Sequence, residues 1–560
     1  MTCTKRIVAL PLREVKSTEW VQNALARRGG GCALRPLQRE ALAEISRVGG
    51  GFFPIGVGHG KTLIALLAGP ILNCEVSIIL VPASLREQMK AELTKFSLDF
   101  KTLEKTYILS YEELSRPDGT DLLNRLCEGA EDYSKVVMVC DEAHRLKRLQ
   151  SARTMRVVRF MQEHPQVKFV ALSGTMTSKS LRDFSHLAEL ALREGSPVPH
   201  DRNHLESWSE VVDVDGRPGR YDWERVRPLW SWKYKQTKER FFGMRTPKRR
   251  TQVRLAFQER MRNTPGVVCS EEGSLGCSLI LEMVRGKGSG QIQRLIDQVL
   301  ELEEDPAGNV ITDPLHRHRV CGQLSHGYFY QWDWGDTSED LREPWLWRRN
   351  QWGRHVRGEL ARRARAGYDS PHLVEARTKE EIKEGKNRGI HRAWLEWCEI
   401  RDEAKPVPVP VWVDDSPVRH ALKLIEEIES PAILWFQGKA VEDRLRFLRP
   451  ALEVYGANST FDQETPRNLA LSIRSHGVGK NLQAWSEQVV LSPPSSGSAW
   501  EQLLGRTHRA GQAADEVSVK VLQVYETQRA AFSAARTDAL YIEETTGNIQ
   551  KLNFCNWRKW

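Results

Sequence analysis

Pro54-Ile-Gly-Val-Gly-His-Gly-Lys-Thr62 follows the short run Gly50-Gly-Phe-Phe53 and opens directly into the apolar stretch Leu63 to Leu67. Gly56, Gly58 and Gly60 let the backbone curl so that successive N–H groups point inward, and the first turn of a following helix adds positive potential at the same place. Lys61 supplies a cation for the outer phosphates and Thr62 a hydroxyl for a metal, so this loop, His59 included, reads as a cradle for a triphosphate with magnesium. The glycines alone would equally suit a flexible loop. It is the Lys-Thr pair after them that favours a triphosphate with Mg2+ as the occupant, and a strand, loop and helix in that order predict an α/β fold.

Working outward, Leu34 to Leu42 reads as an amphipathic helix preceding the cradle, and its Gln38 could reach a purine edge with paired donor and acceptor. Val76 to Val81, closed by Pro82, is a continuous apolar run of the kind found in parallel strands covered on both faces. Ser84 to Phe96 reads as the next helix and Ile108 to Glu113 as another strand end. Lys135 to Arg145 then brings two adjacent carboxylates, Asp141 and Glu142, to the C-terminal tip of a buried strand, where open parallel sheets place ligands. Asp141 suits a hard cation, and Glu142 can orient a water for in-line phosphoryl transfer. His144 would link these acids to something beyond. Val167 to Thr177 repeats the geometry with Ser173 and Thr175, whose hydroxyls could sense the phosphate end. A solvated turn is the plain alternative for each strand end taken singly.

The chain has 560 residues, enough for three or four domains of about 150 residues each. Its 82 Lys and Arg against 73 Asp and Glu leave a net charge of +9, which suits a polyanionic partner without requiring one. The 10 cysteines lie far apart, Cys269 and Cys277 being the nearest pair, so neither a zinc pattern nor a disulfide framework is indicated. No signal-peptide pattern is present and the most apolar stretch, Leu63 to Val81, is interrupted by Pro70, Asn73 and Glu75. The expectation is a soluble monomer of the cytoplasm, or of the host cytoplasm if viral, with no membrane association.

Taken together, GVGHGKT, VPASL, DEAHRLK and LSGTMTS resemble, in order and spacing, the early motifs of superfamily 2 helicase-like ATPases, and DEAH followed by Arg-Leu-Lys is most similar to the Swi/Snf-related branch. The resemblance implies two RecA-like parallel-sheet lobes with ATP between them and a nucleic-acid strand gripped across both. Later motifs agree. Ser475 to Gln483 resembles the family segment that couples nucleic acid to ATP, making Gly477, Gly479 and Asn481 candidates. Gln502, Gly505, Arg506 and Arg509 match Q-x-x-G-R-x-x-R; the arginines, three apart, would share a helix face and stabilise charge on the transferred phosphoryl from the opposite lobe. Isoleucine at position 55 and the Gly-Val-Gly-His run depart from the family's usual pattern.

The expected organisation is an N-terminal segment over 1–33, a first lobe over 34–197, a largely helical, Trp-rich insertion with linker over 198–412, a second lobe over 413–530 and a tail over 531–560. Within the insertion, Lys233, Lys235, Lys238, Lys248, Arg249 and Arg250 fit either a backbone-tracking surface or a solvated helix face. Trp332, Trp334, Trp345, Trp347 and Trp352, beside Arg348, Arg349, Arg354 and Arg357, fit either core packing or base stacking. Ile292 to Leu302 reads as an amphipathic helix, and Lys405 to Pro417 as an extended linker. In the second lobe, Ala432–Phe436, Leu452–Tyr455, Leu469–Arg474 and Val517–Val524 read as strands. The function expected is a motor that translocates on nucleic acid, most readily double-stranded DNA, at the expense of ATP. A strand-separating helicase and a nucleotide-gated clamp with little turnover are the alternatives. The absence of a readable reader domain or zinc finger suits a compact phage or bacterial protein.

Overall fold

The computed structural model describes residues 3–559 apart from 15, 117–120, 129–131, 150, 178, 236–239, 271–276, 364–369, 458, 478–479 and 510. It is an α/β protein with two parallel sheets. The first sheet uses β1 (Gly51–Pro54), β2 (Val76–Val81), β3 (Lys105–Ser110), β4 (Val136–Asp141) and β5 (Lys168–Ser173) in the spatial order β1-β5-β4-β2-β3. All its pairings are parallel. β2 and β4 are buried along their whole length, as expected of apolar runs covered on both faces by helices. Because β5 lies between β1 and β4, the Ser173 end stands between the glycine loop and the acid pair.

The remaining strands are β6 (Ser278–Arg285), β7 (Tyr328–Asp333), β8 (Val407–Trp412), β9 (Ala432–Phe436), β10 (Glu453–Tyr455), β11 (Leu469–Ser472), β12 (Glu487–Val490), β13 (Glu516–Gln523) and β14 (Asn556–Lys559). Seven of them form the second parallel sheet, ordered β10-β11-β9-β12-β13-β6-β14. Here the structure departs from the organisation expected from sequence in two places. β6 lies within the stretch read as insertion, and β14 within the stretch read as tail, yet both extend the second sheet, β6 pairing with β13 and β14 with β6. Leu279 and Leu281 of β6 enter the same core as Trp435, Trp485 and Trp500. The helical insertion therefore leaves from the end of β6 and returns before β9.

The segment read as a linker is also a strand. β8, Val407-Pro-Val-Pro-Val-Trp412, pairs antiparallel with β7 in a separate ribbon. Prolines at alternate positions remove donors from only one edge, and an antiparallel ladder needs the donors of alternate residues only, so the sequence suits a two-stranded edge. The amphipathic helix of the insertion forms over Gly290–Leu302, burying Ile292, Ile296 and Val299.

The C-terminal segment binds the two halves together. Helix Glu526–Thr546 leaves β13 and crosses to the first half, where the Tyr541 hydroxyl donates to Asp213 at 3.1 Å and Arg254 pairs with Glu544 at 2.8 Å. Tyr541 is part of the first-half core. Gly547, at φ 75°, ends this helix in the left-handed conformation that glycine adopts without strain, and the chain then returns to β14. Among the described residues no helix is long and apolar enough to cross a membrane.

Candidate functional site

The glycine loop joins the end of β1 to helix Lys61–Ile71, whose apolar residues are buried almost without interruption. Gly58 and Gly60 have φ of 91° and 76°, a region costly for side chains with a Cβ. A Cβ on Gly60 would also lie 2.3 Å from Gln38 Nε2. Lys61 is buried, and its Nζ donates to the carbonyls of Ile55 and Gly56, both at 3.1 Å, so the ammonium folds back onto the loop. Gln38 is buried too, its Nε2 donating to the Gly60 carbonyl at 3.1 Å and its Oε1 accepting from the Arg35 N–H at 2.8 Å. In this arrangement Gln38 braces the loop. Thr62 sits, half-buried, in the first turn of the helix.

Asp141 and Glu142 end β4 as the sequence suggests, and both are buried. Glu142 has φ 54° and ψ 49°, left-handed backbone that costs a residue with a Cβ roughly 1–2 kcal/mol. Around its carboxylate the hydrogen bonds are continuous. Ser173 Oγ donates to Glu142 Oε2 at 3.3 Å, His144 Nδ1 lies 3.3 Å from the same oxygen and 3.0 Å from Ser173 Oγ, and the Thr175 N–H donates to Ser173 Oγ at 3.1 Å. Glu142, His144, Ser173 and Thr175 thus form one network, buried except at the half-buried His144. The Thr175 hydroxyl itself is buried with no partner among the described residues.

Electrostatics separate the two acids. Burial, with the neighbouring Glu142 charge, pushes Asp141 up to about 7 against the pull of Lys61. Burial also opposes the charge on Glu142, but Lys61, then His144 and Arg506, outweigh it and hold that carboxyl well below the usual range. Between the unfolded carboxyl pKa and about 7 the folded chain retains a proton at Asp141 that the unfolded chain has released, so this group's contribution to stability falls as pH rises through that interval. Asp141→Asn is therefore expected to raise the melting temperature of the nucleotide-free protein at pH 8 relative to wild type, with the difference shrinking toward pH 5. Thermal melts across that range check it; a difference that grows on acidification would contradict the assigned direction.

The second half reaches the cradle directly. A Cβ on Gly505 would fall 2.8 Å from Val57 Cβ, and a Cβ on Gly58 would fall 3.1 Å from Arg509 Cβ, so the loop and the Gln502–Arg509 segment are in van der Waals apposition. One expectation is corrected: helix Gly497–Leu504 stops before Arg506 and Arg509, which occupy the turn after it and share no helix face. Arg506 is buried and donates from Nε to the carbonyls of Gly477 at 3.0 Å and Gln502 at 3.2 Å, and from Nη1 to that of Lys480 at 3.3 Å. Burial lowers its pKa to about 10 while Glu142 holds it up. Arg509 Nε is buried with no hydrogen-bond partner among the described residues. Gln502, half-buried, thus meets Arg506 through its backbone. Gly477 reaches the site through its carbonyl, whereas Asn481 is exposed with its N–H held by Gln463 at 3.0 Å. Gly479 lies outside the described residues.

Three further groups have no sequence motif to announce them. Ser270 Oγ accepts from the Gly56 N–H at 3.0 Å and donates to Asn548 Oδ1 at 2.6 Å, while Asn548 Nδ2 donates to the Gly174 carbonyl at 2.7 Å. The chain past Gly547 thereby ties the loop to the end of β5. Lys551, buried, approaches His508 at 3.3 Å; its charge, after burial, is the main influence lowering His59 to about 4. Asn548→Ala would leave the Gly174 carbonyl and one side of Ser270 unsatisfied, at about 1–3 kcal/mol each for a buried group. A lowered melting temperature is expected. A melt indistinguishable from wild type would remove this link from the account.

The donor set suits a polyphosphate with a hard cation: positive-φ glycines, with no room for a Cβ at Gly60, a buried lysine satisfied by loop carbonyls, an acid whose pKa burial raises to about 7, and a buried arginine nitrogen without a partner among the described residues. Fold and site together define an α/β protein with a glycine loop and an acid pair at the C-terminal ends of parallel strands. A scan against protein-family models finds no match, and no similar protein is found among curated sequences.

The tryptophans of the insertion pack mainly on one another. Trp345 is buried and meets Trp332, Trp334 and Trp397 edge to face at 4.9–5.5 Å, while Trp347 is exposed. In the basic stretch, Arg249 stacks on Trp223 at 4.7 Å, Arg250 donates to the Val214 and Gly216 carbonyls, and Lys233 pairs with Glu259 at 3.1 Å. Those three cations are committed to the fold. Lys235 and Lys248 are exposed, and Lys238 lies outside the described residues.

Proposed function

We propose that the protein is an ATP-hydrolysing motor that moves along nucleic acid, with duplex DNA as its track, built from two RecA-like lobes of the Swi/Snf-related type. The observation that supports the reading is the apposition of Gly58 with Arg509 and of Val57 with Gly505, because it sets Arg509 of one half of the chain against the glycine loop of the other. A binding module has no need of that arrangement.

In this reading the loop N–H groups and Lys61 bind the β- and γ-phosphates, with Lys61 giving up the carbonyls of Ile55 and Gly56. Magnesium, held by Thr62 and Asp141, would neutralise phosphate charge when bound. Glu142, kept ionised by Lys61 and His144, orients the attacking water and accepts its proton. Arg509 carries a nitrogen lacking a protein partner and supplies charge to the transferred phosphoryl, while Arg506 organises the turn through three carbonyls. The Glu142–Ser173–His144 network, reaching Thr175, relays the state of the phosphate toward the neighbouring half. Opening and closing of the two halves on ATP would then be the stroke, a two-state cycle driven by contacts made only with nucleotide present.

Third-strand displacement tests the motor directly. ATP with magnesium is expected to drive release of a labelled third strand from a DNA triplex, while strands of a forked duplex stay paired. Separation of the fork would assign strand separation instead, and inactivity on both substrates would leave only the clamp reading.

A further inference from the structure

Two clefts, of about 650 and 420 Å3, lie in the insertion and share a wall made by His316, Arg319 and Arg349. Both fall within the size range of small-molecule sites, roughly 300–1,000 Å3. The wall comes from two helices, Pro314–Ser325 carrying His316 and Arg319 and Glu339–Arg363 carrying Arg349, while the larger cleft adds Trp352 from the second of these and Trp397 from helix Gly389–Ile400. The lining of the larger cleft is mainly apolar and includes both indoles.

The cations at this wall are unusual in what they lack. Arg349 is half-buried, stacked over Trp332 at 5.0 Å and Trp345 at 5.8 Å, and donates to Asn309 Oδ1 at 2.8 Å, but among the described residues no carboxylate lies within ion-pair distance of it. Its neighbours Arg348, Arg354 and Arg357 each have a glutamate. Arg319 is exposed and likewise has no described ion-pair partner. The two acids in the linings are occupied: Asp313 accepts from the His316 N–H and the Thr312 hydroxyl, and Asp305 from the N–H groups of Ala307 and Asn309 and from Asn309 Nδ2. Burial lowers the Arg349 pKa while the Asp305 charge, beyond ion-pair distance, partly supports it, so Arg349, unlike the exposed Arg319, is a partly desolvated cation with no direct counter-charge among the described residues. Here the position for one is an apolar cleft edged by indoles.

We propose that this cleft binds a nucleotide unit, its base against Trp352 and Trp397 and its phosphate at Arg319 and Arg349. Indole faces beside guanidinium groups provide sequence-tolerant stacking worth about 1–3 kcal/mol per base, and the forked guanidinium matches a phosphate. Such a unit could come from a single-stranded polynucleotide or from a free nucleotide. None of the residues lining the two clefts belongs to the glycine loop, so binding here can be read without ATP.

The test uses the full chain without ATP. Binding of a fluorescein-labelled oligothymidylate is measured by anisotropy, and binding of AMP by equilibrium dialysis, for wild type, Arg319→Glu, Trp397→Leu and the charge control Arg202→Glu, whose side chain is exposed on the first half. Stacking and phosphate losses of this kind correspond to about tenfold weaker binding for Arg319→Glu and for Trp397→Leu, with Arg202→Glu unchanged. Because Arg319 is exposed, its variant keeps the test open should Trp397→Leu fail to fold. If the oligonucleotide affinity falls, the source is a polynucleotide; if only AMP binding falls, the source is a free nucleotide. Equal affinities for both probes in Arg319→Glu and wild type, or an equal loss in Arg202→Glu, would overturn the proposal.

Discussion

Glu142→Gln is expected to bind ATP as tightly as wild type and to release phosphate about a thousandfold more slowly, within the range that general bases contribute. Glutamine keeps the shape of the side chain and can still accept from Ser173, so the buried network around His144 and Ser173 survives. What disappears is the negative oxygen that Lys61, His144 and Arg506 keep ionised. Removing that charge also relieves the repulsion that raises Asp141, so nucleotide affinity is not expected to suffer. Single-turnover phosphate release beside a direct ATP-binding titration measures both quantities. Wild-type hydrolysis in this variant would show that another group handles the water.

The second large effect is expected at Arg509. An arginine brought to the transferred phosphoryl from outside the cradle contributes about a thousandfold or more in other NTPases, about 4 kcal/mol of transition-state stabilisation. Arg509→Ala should lose turnover on that scale. Its fold should survive, because among the described residues Arg509 Nε has no hydrogen bond to forfeit. Arg506 offers a less clean experiment: it anchors the Gly477, Lys480 and Gln502 carbonyls, so its removal would lower stability as well as activity. An Arg509→Ala enzyme with unaltered phosphate release and an unaltered melt would leave the second half without a chemical role at the cradle.

How far the sequence could be read depended on whether the determining forces are local. The glycine loop, the buried runs β2, β4 and β9 and the acid pair at the tip of β4 are written in contiguous residues, and each is found where its pattern puts it. β6 and β14 were not legible as members of the second sheet, since a strand's partner is chosen by pairing across hundreds of positions and Asn556-Trp-Arg-Lys559 has no apolar alternation of its own. Val407 to Trp412 was misread because alternating proline suggests a spacer, when it also suits an edge ladder. At the site, Ser270, Asn548 and Lys551 belong to no spacing rule. They arrive because helix Glu526–Thr546 packs on the first half and Gly547 turns the chain back over the loop. The bracing role of Gln38 was hidden for a related reason: its partner, the Gly60 carbonyl, is set by the curl of the cradle.

The central proposal is a single nucleotide site completed by both halves of the chain and used to do work on nucleic acid. Phosphate release from ATP by the wild-type chain, measured at fixed low salt without polynucleotide and then with saturating duplex DNA, bears on it most directly. The expected result is slow release that duplex DNA accelerates. Release that stays at the reagent blank with duplex DNA, single-stranded DNA and RNA alike would contradict it.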